Sequence, residues 1–132
     1  METYPRIRQT VLDGTDIRTL AEFYRRLFGL TYRPGDEVDA GQDWLVLRGR
    51  DGGPQLAFQR VDRLPAATWP EPGVPQQLHL DTVVADTREL DVQHERALAL
   101  GAKLLLDRST DPDEPLRVYA DPAGHPFCIF VA

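Results

Sequence analysis

The sequence predicts an α+β fold built from two β-α-β-β-β modules. Three observations lead there. Two helix openings match, D-I-R-T-L at Asp16 and D-T-R-E-L at Asp86. Each helix is closed by a glycine, Gly29 or Gly101, suited to a left-handed cap. One stretch of alternating apolar and polar residues precedes each helix and three follow it, so the 132 residues read as an internal repeat. Two such units can pair their sheets into a curved, partly open barrel, with the concave face between the modules as the expected place for a small molecule.

The elements follow in order. Residues 7–13 alternate as a strand, and Asp16 stands where a helix N-cap accepts amide hydrogen bonds. Leu20, Phe23, Tyr24, Leu27 and Phe28 then form one apolar stripe at helical spacing, ended by Gly29. Residues 30–33, 43–48 and 55–60 read as three strands separated by glycine-containing turns. The first module is thus 5–60. Four prolines between 65 and 75 make 61–76 an extended connector. The second module, 77–132, opens with the strand QLHLDTVV. Asp86 with Glu89 then forms a capping-box pattern, and Leu90, Ala97 and Leu98 form the apolar face of the second helix. KLLLD, LRVYA and PFCIFVA are its last strands. The whole chain, 1–132, is expected to be one domain.

Composition narrows the function. A net charge of -6 with scattered acids repels a phosphate backbone, which excludes nucleic acid as a partner. No apolar run reaches the length of a membrane span. One cysteine forms no intrachain disulfide, and METYPRIRQT lacks a signal-peptide core, so a cytoplasmic protein is expected. No P-loop, G-x-G-x-x-G or G-x-S-x-G is present. Strand alternation puts His79 and Asp81 on one face, which makes His79 a ligand candidate or a satisfied polar group. His94 falls at the edge of a packed helix, and His125, in the turn DPAGHP, is expected in solvent. His125 and Cys128 are too few for a structural zinc site, and Cys128 reads as a small buried thiol with no cationic neighbour in sequence.

Over essentially its whole length, through TDIRTLAEFYRRLFGL and then LHLDTVVADTRELDVQHERALALGAKLLLD with VYADPAGHPFCIF, the chain resembles the vicinal oxygen chelate superfamily. That superfamily includes glyoxalase I, bleomycin resistance proteins and extradiol dioxygenases, and the match is nearest to its glyoxalase-like branch. The resemblance implies two βαβββ modules forming curved mixed sheets around a concave pocket, and a homodimer. In metal-dependent members the ligands come from the first and last strand of each module, usually His or Gln, Glu, His and Glu. Carried onto this sequence, Gln9 takes the first position, His79 the third and Cys128 the fourth. Gln55 is expected at the second, with Ala57 the other register.

No glutamate stands in that set. Glutamate carboxylates hold the divalent ion and serve as movable bases in such enzymes, so a metal-free pocket is expected. A divalent metal (zinc, iron, manganese or nickel) on Gln9, His79 and Cys128 is the alternative. The implied function is small-molecule binding of the bleomycin-resistance type, with Gln9, Trp44, Gln55, His79, Tyr119 and Cys128 lining the pocket, and Trp44 and Tyr119 available to stack on a flat ligand. The competing function is a lyase, isomerase or dioxygenase with His79 as a general base or metal ligand.

Overall fold

The computed structural model describes residues 1–132, which divide into two units, Met1–Asp62 and Arg63–Ala132. Each carries one helix and one open four-stranded mixed sheet.

In the first unit the strands are Thr10–Gly14 (β1), Thr31–Tyr32 (β2), Trp44–Arg48 (β3) and Leu56–Arg60 (β4), in the spatial order β1-β4-β3-β2. β1 and β4 are parallel, and the other pairs are antiparallel. The helix Ile17–Phe28 (α1) starts where Asp16 accepts from the Thr19 amide and ends at Gly29, whose φ of 66° only glycine adopts without strain. Its buried face, Leu20, Phe23, Tyr24 and Leu27, is the predicted stripe. Tyr24 stacks on Phe58 at 6.1 Å, so α1 covers the sheet face that carries Leu12, Leu45 and Phe58.

In this unit β1 and β2 depart most from expectation. β1 begins at Thr10 rather than residue 7, because its ladder partner begins at Leu56 after a 3-10 turn at Arg50–Gly52. β2 keeps two residues because the chain turns at Arg33, with the Asp36 amide bonded to the Arg33 carbonyl. The buried Asp36 carboxylate then accepts from the Val46 amide at 2.9 Å and extends the ladder past the strand's end. Arg18 reaches from α1 to the carbonyls of Asp36 and Val38 and holds that loop.

In the second unit Leu80–Val84 (β5), Lys103–Arg108 (β6), Leu116–Ala120 (β7) and Pro126–Val131 (β8) are ordered β5-β8-β7-β6, with β5 and β8 parallel. β5 begins at Leu80 rather than residue 77, because its ladder with β8 begins at the Leu80–Phe127 pair, so His79 directly precedes the strand. The helix Thr87–Leu100 (α2) is capped by Asp86, which accepts from the Glu89 amide, and by Gly101. Leu90 and Ala97 are buried. Leu98 lies off that narrow stripe and is 39% exposed, contrary to the expected apolar face. Arg117 donates to the Leu90 carbonyl, and the Tyr119 hydroxyl meets His94 Nδ1 at 2.8 Å, so α2 covers the sheet face of Arg117, Tyr119, Phe127 and Ile129.

The proline-rich segment is more than an extended spacer. Thr68 folds it into a turn, its hydroxyl accepting from the Val74 amide and donating toward nearby carbonyls. Ala66 sits so close to Gly124 that a Cβ on that glycine would lie 2.5 Å from the alanine methyl. From Arg63 onward the segment groups with the second unit.

Candidate functional site

Strand alternation on β5 and β8 sends Asp81 and Cys128 to the sheet face opposite α2, since Phe127 and Ile129 face the helix. Asp81 and Cys128 are direct partners in the parallel ladder. His79, two residues before Asp81, joins them on that face. One ligand atom from each of the three, a nitrogen, an oxygen and a sulfur, lies within 4.8 Å of the other two.

Each group is held by identifiable contacts. His79 Nε2 is 3.0 Å from Asp81 Oδ1, and His79 Nδ1 is 3.1 Å from Gln76 Oε1. The Trp69 ring, brought in by the proline-rich turn, stacks on the imidazole at 5.2 Å with planes 10° apart. His79 and Asp81 keep 31% and 55% of their side-chain surface in solvent, whereas Cys128 is buried. Burial first, then the Asp81 charge and the hydrogen bond to Asp81, push the Cys128 thiol from 9.0 up to about 11. Thr82 donates to the Cys128 carbonyl at 2.8 Å and braces the two strands at this point.

The other expected residues fall elsewhere. Tyr119 is fully buried on the helix side, stacked on Phe127 at 5.3 Å and bonded to His94; burial pushes its hydroxyl up to about 12. It is one residue out of phase with Val118, which pairs with Cys128, so it does not line the His79 face. His94 is half-buried on α2, at the edge of the packed stripe of Leu90 and Ala97, where it meets Tyr119. His125 is not in solvent: its side chain is 20% exposed and its Nδ1 is 2.9 Å from a carboxylate oxygen of the buried Asp121. Asp121 also accepts from the Ala123 and His125 amides, so DPAGH is a clasped turn.

In the first unit, the counterpart of the Asp81–Cys128 pair is the Val11–Ala57 pair, each five residues before a helix N-cap and directly across a parallel ladder. This register puts Ala57, rather than Gln55, at the position matching Cys128. Gln55 lies two residues away on the same face, its carbonyl accepting from the Thr10 amide at 3.3 Å. Gln9 directly precedes β1 and is half-buried, and Trp44, paired with Gln59, shares the face opposite α1 with Val46 and Ala57. The face of the first unit opposite α1 therefore carries amide and apolar groups, and the face of the second unit opposite α2 carries an imidazole, a carboxylate and a thiol.

Those two donor sets differ in their fitness for a metal. Amide carbonyls are neutral oxygen donors and an alanine offers none, while the nitrogen, oxygen and sulfur donors of the second unit suit a zinc-like ion. Trp69 and Asp81 were not singled out as site residues from sequence. Asp81 was legible there, on one face with His79, but it stands at none of the four implied positions. The pairing of Trp69 with His79 has no periodic signal.

The sequence profile of the glyoxalase-like domain family matches residues 9–130. The chain belongs to that family. No functionally curated protein matches this glyoxalase-like domain in sequence. Among solved structures it is similar to the fosfomycin resistance protein FosX from Listeria monocytogenes, with a TM-score of 0.74, 15% identity and 98% of this chain on 93% of that one. A glyoxalase/bleomycin resistance protein/dioxygenase family enzyme from Burkholderia phytofirmans PsJN matches with a TM-score of 0.70 and 18% identity, covering 94% and 96% of the two chains. Lactoylglutathione lyase from Agrobacterium tumefaciens matches with a TM-score of 0.64 and 20% identity, covering 99% and 96%. At these identities the likeness establishes the fold of the glyoxalase-like domain. No helix is long and apolar enough to cross a membrane.

Proposed function

We propose that this glyoxalase-like domain is a small-molecule-binding protein of the glyoxalase/bleomycin resistance type. It works as a cytoplasmic homodimer and does not carry the full four-ligand metal set. The observation that supports it is the His79–Asp81 pair: two polar groups, partly open to solvent, oriented by Trp69 and Gln76 on a sheet face that its own helix leaves uncovered. Trp69 supplies a flat apolar wall and the pair supplies donors and acceptors, which is the usual composition of a ligand site. The family resemblance supports the dimer, and light scattering at twice the mass of one chain is the expected result.

Fosfomycin, bleomycin and S-lactoylglutathione are the probes that the relatives suggest. Thermal shift with each should show stabilisation by at least one, and a ligand at 100 times its dissociation constant adds about 2.7 kcal/mol. Trp69→Ala and His79→Ala should abolish the shift. If none of the three stabilises the protein, or if both variants respond like wild type, this reading is refuted. A second reading, a lyase, isomerase or dioxygenase, is favoured by the carboxylate set 3.0 Å from an imidazole, an arrangement that orients a general base. It requires turnover of a bound probe and a large loss of rate in Asp81→Asn.

A further inference from the structure

The parallel ladder of β1 on β4 starts at the Thr10–Leu56 pair, with one more bond from the Thr10 amide to the Gln55 carbonyl. Continued backward, the same register would set Arg8 against Pro54 and Arg6 against Gly52. Pro54 has no N–H to donate, and Gly52 turns away with a φ of 75°, directly after Asp51 at 51°. The two segments therefore part, and a cleft of about 620 Å³ opens between residues 6–8 and 52–55. The loop on its far side is tightly folded. The Gly53 amide bonds the Arg50 carbonyl at 2.8 Å, and a Cβ on Gly49 would overlap the Gly53 and Pro54 carbonyls. A Cβ on Gly52 would meet nothing within 4 Å, so bare backbone faces open space there.

Arg6 and Arg8 are the ionised residues that border this cleft, and no carboxylate borders it. Neither guanidinium has an ion-pair or hydrogen-bond partner, although the chain holds 21 acidic residues against 15 basic ones. Their Cα atoms, two residues apart, stand at most about 7 Å from each other, so two like charges repel across one opening. An arginine fork meets a carboxylate through two parallel hydrogen bonds. We propose that this cleft binds a small organic dianion with a carboxylate at each end, one on Arg6 and the other on Arg8. The half-buried Gln55 amide supplies a further donor. A monocarboxylate engages one fork and leaves the other charge uncompensated, so the cleft selects for two acid groups on one molecule. All of these residues belong to the first unit, and the proposal does not rest on what the His79 face binds.

Calorimetry of the full chain at low salt, with glutarate as the probe, tests this. One equivalent should bind at about 1 mM or tighter, with acetate about tenfold weaker, and added sodium chloride should weaken glutarate steeply. Arg6→Gln and Arg8→Gln should each weaken glutarate about fivefold or more, and Arg6→Lys, which keeps the charge and loses the fork, should weaken it too. Arg63→Gln makes the same change of charge on an exposed residue that does not border the cleft, and it should bind like wild type. Circular dichroism checks that each variant is folded. The proposal fails if wild type binds glutarate no tighter than acetate, or if Arg63→Gln loses as much affinity as Arg6→Gln. Pyrophosphate binding more tightly than glutarate would overturn the assignment to a dicarboxylate.

Discussion

Cys128 is the only cysteine, so its chemistry can be followed without interference. Its thiol is pushed from 9.0 to about 11, by burial first and then by the charge and hydrogen bond of Asp81. At pH 8 a thiol at 9.0 is about one-tenth thiolate and one at 11 about one-thousandth, so alkylation should be about a hundredfold slower than for an unperturbed thiol. Iodoacetamide labelling across pH 7 to 11, read as a single mass adduct, measures this. The rate should climb through the whole range. Asp81→Asn should raise the rate at pH 8 and lower the apparent midpoint, while burial keeps that midpoint above 9.0. A wild-type rate at pH 8 within threefold of a small-molecule thiol would refute this account of the cysteine. An unchanged profile in Asp81→Asn would show that burial acts alone and that Asp81 does not touch the thiol.

Asp36→Ala leaves the Val46 amide without its acceptor beyond the end of β2 and should cost about 1–3 kcal/mol in urea unfolding, with Asp36→Asn costing less; equal losses would contradict the ladder role. Burial pushes the Tyr119 and Tyr32 hydroxyls from 10.0 to about 12. Both folded values lie above the unfolded one, so this stabilisation is complete below pH 10 and is lost as pH rises toward about 12. Phenolate absorbance should therefore rise together with loss of circular dichroism between pH 10 and 12, and ionisation of all four tyrosines near pH 10 in a folded protein would contradict it.

Local signals carried most of the fold. Asp16, the stripe from Leu20 to Leu27 and Gly29 locate α1 because capping and period act within a few residues. Asp86 and Gly101 locate α2 for the same reason, but the sequence could not show that α2 buries so narrow a stripe that Leu98 stays exposed. Strand ends were legible only roughly: where β1 starts depends on its partner Leu56, distant in sequence, and where β2 stops depends on Asp36 turning back to the Val46 amide. The site was half legible. Alternation placed His79 with Asp81, whereas the approach of Cys128 to Asp81 comes from pairing across the whole second module. Tyr119 was assigned to the wrong face because an aromatic on a strand looks the same from either side until the helix packs. His125 was placed in solvent because nothing local announces that Asp121 is buried beneath it. Trp69 was overlooked because irregular turns have no period.

The strand order has a further consequence for how the protein is made. In each sheet the last strand in sequence is the inner one beside the first, β4 next to β1 and β8 next to β5. The contact from Thr82 to Cys128 closes a loop spanning 46 positions, and an entropic cost growing with loop length, about 3 kcal/mol beyond a constant, stands against it. While the chain leaves the ribosome, β5 and β7 each present an unpaired edge until residues 126–131 emerge and fill the gap between them. During that interval the half-built second module is open to pairing with other chains. A stall before Pro126 would leave His79 and Asp81 without Cys128, so a nascent chain acquires its nitrogen, oxygen and sulfur together only at the moment its sheet is completed.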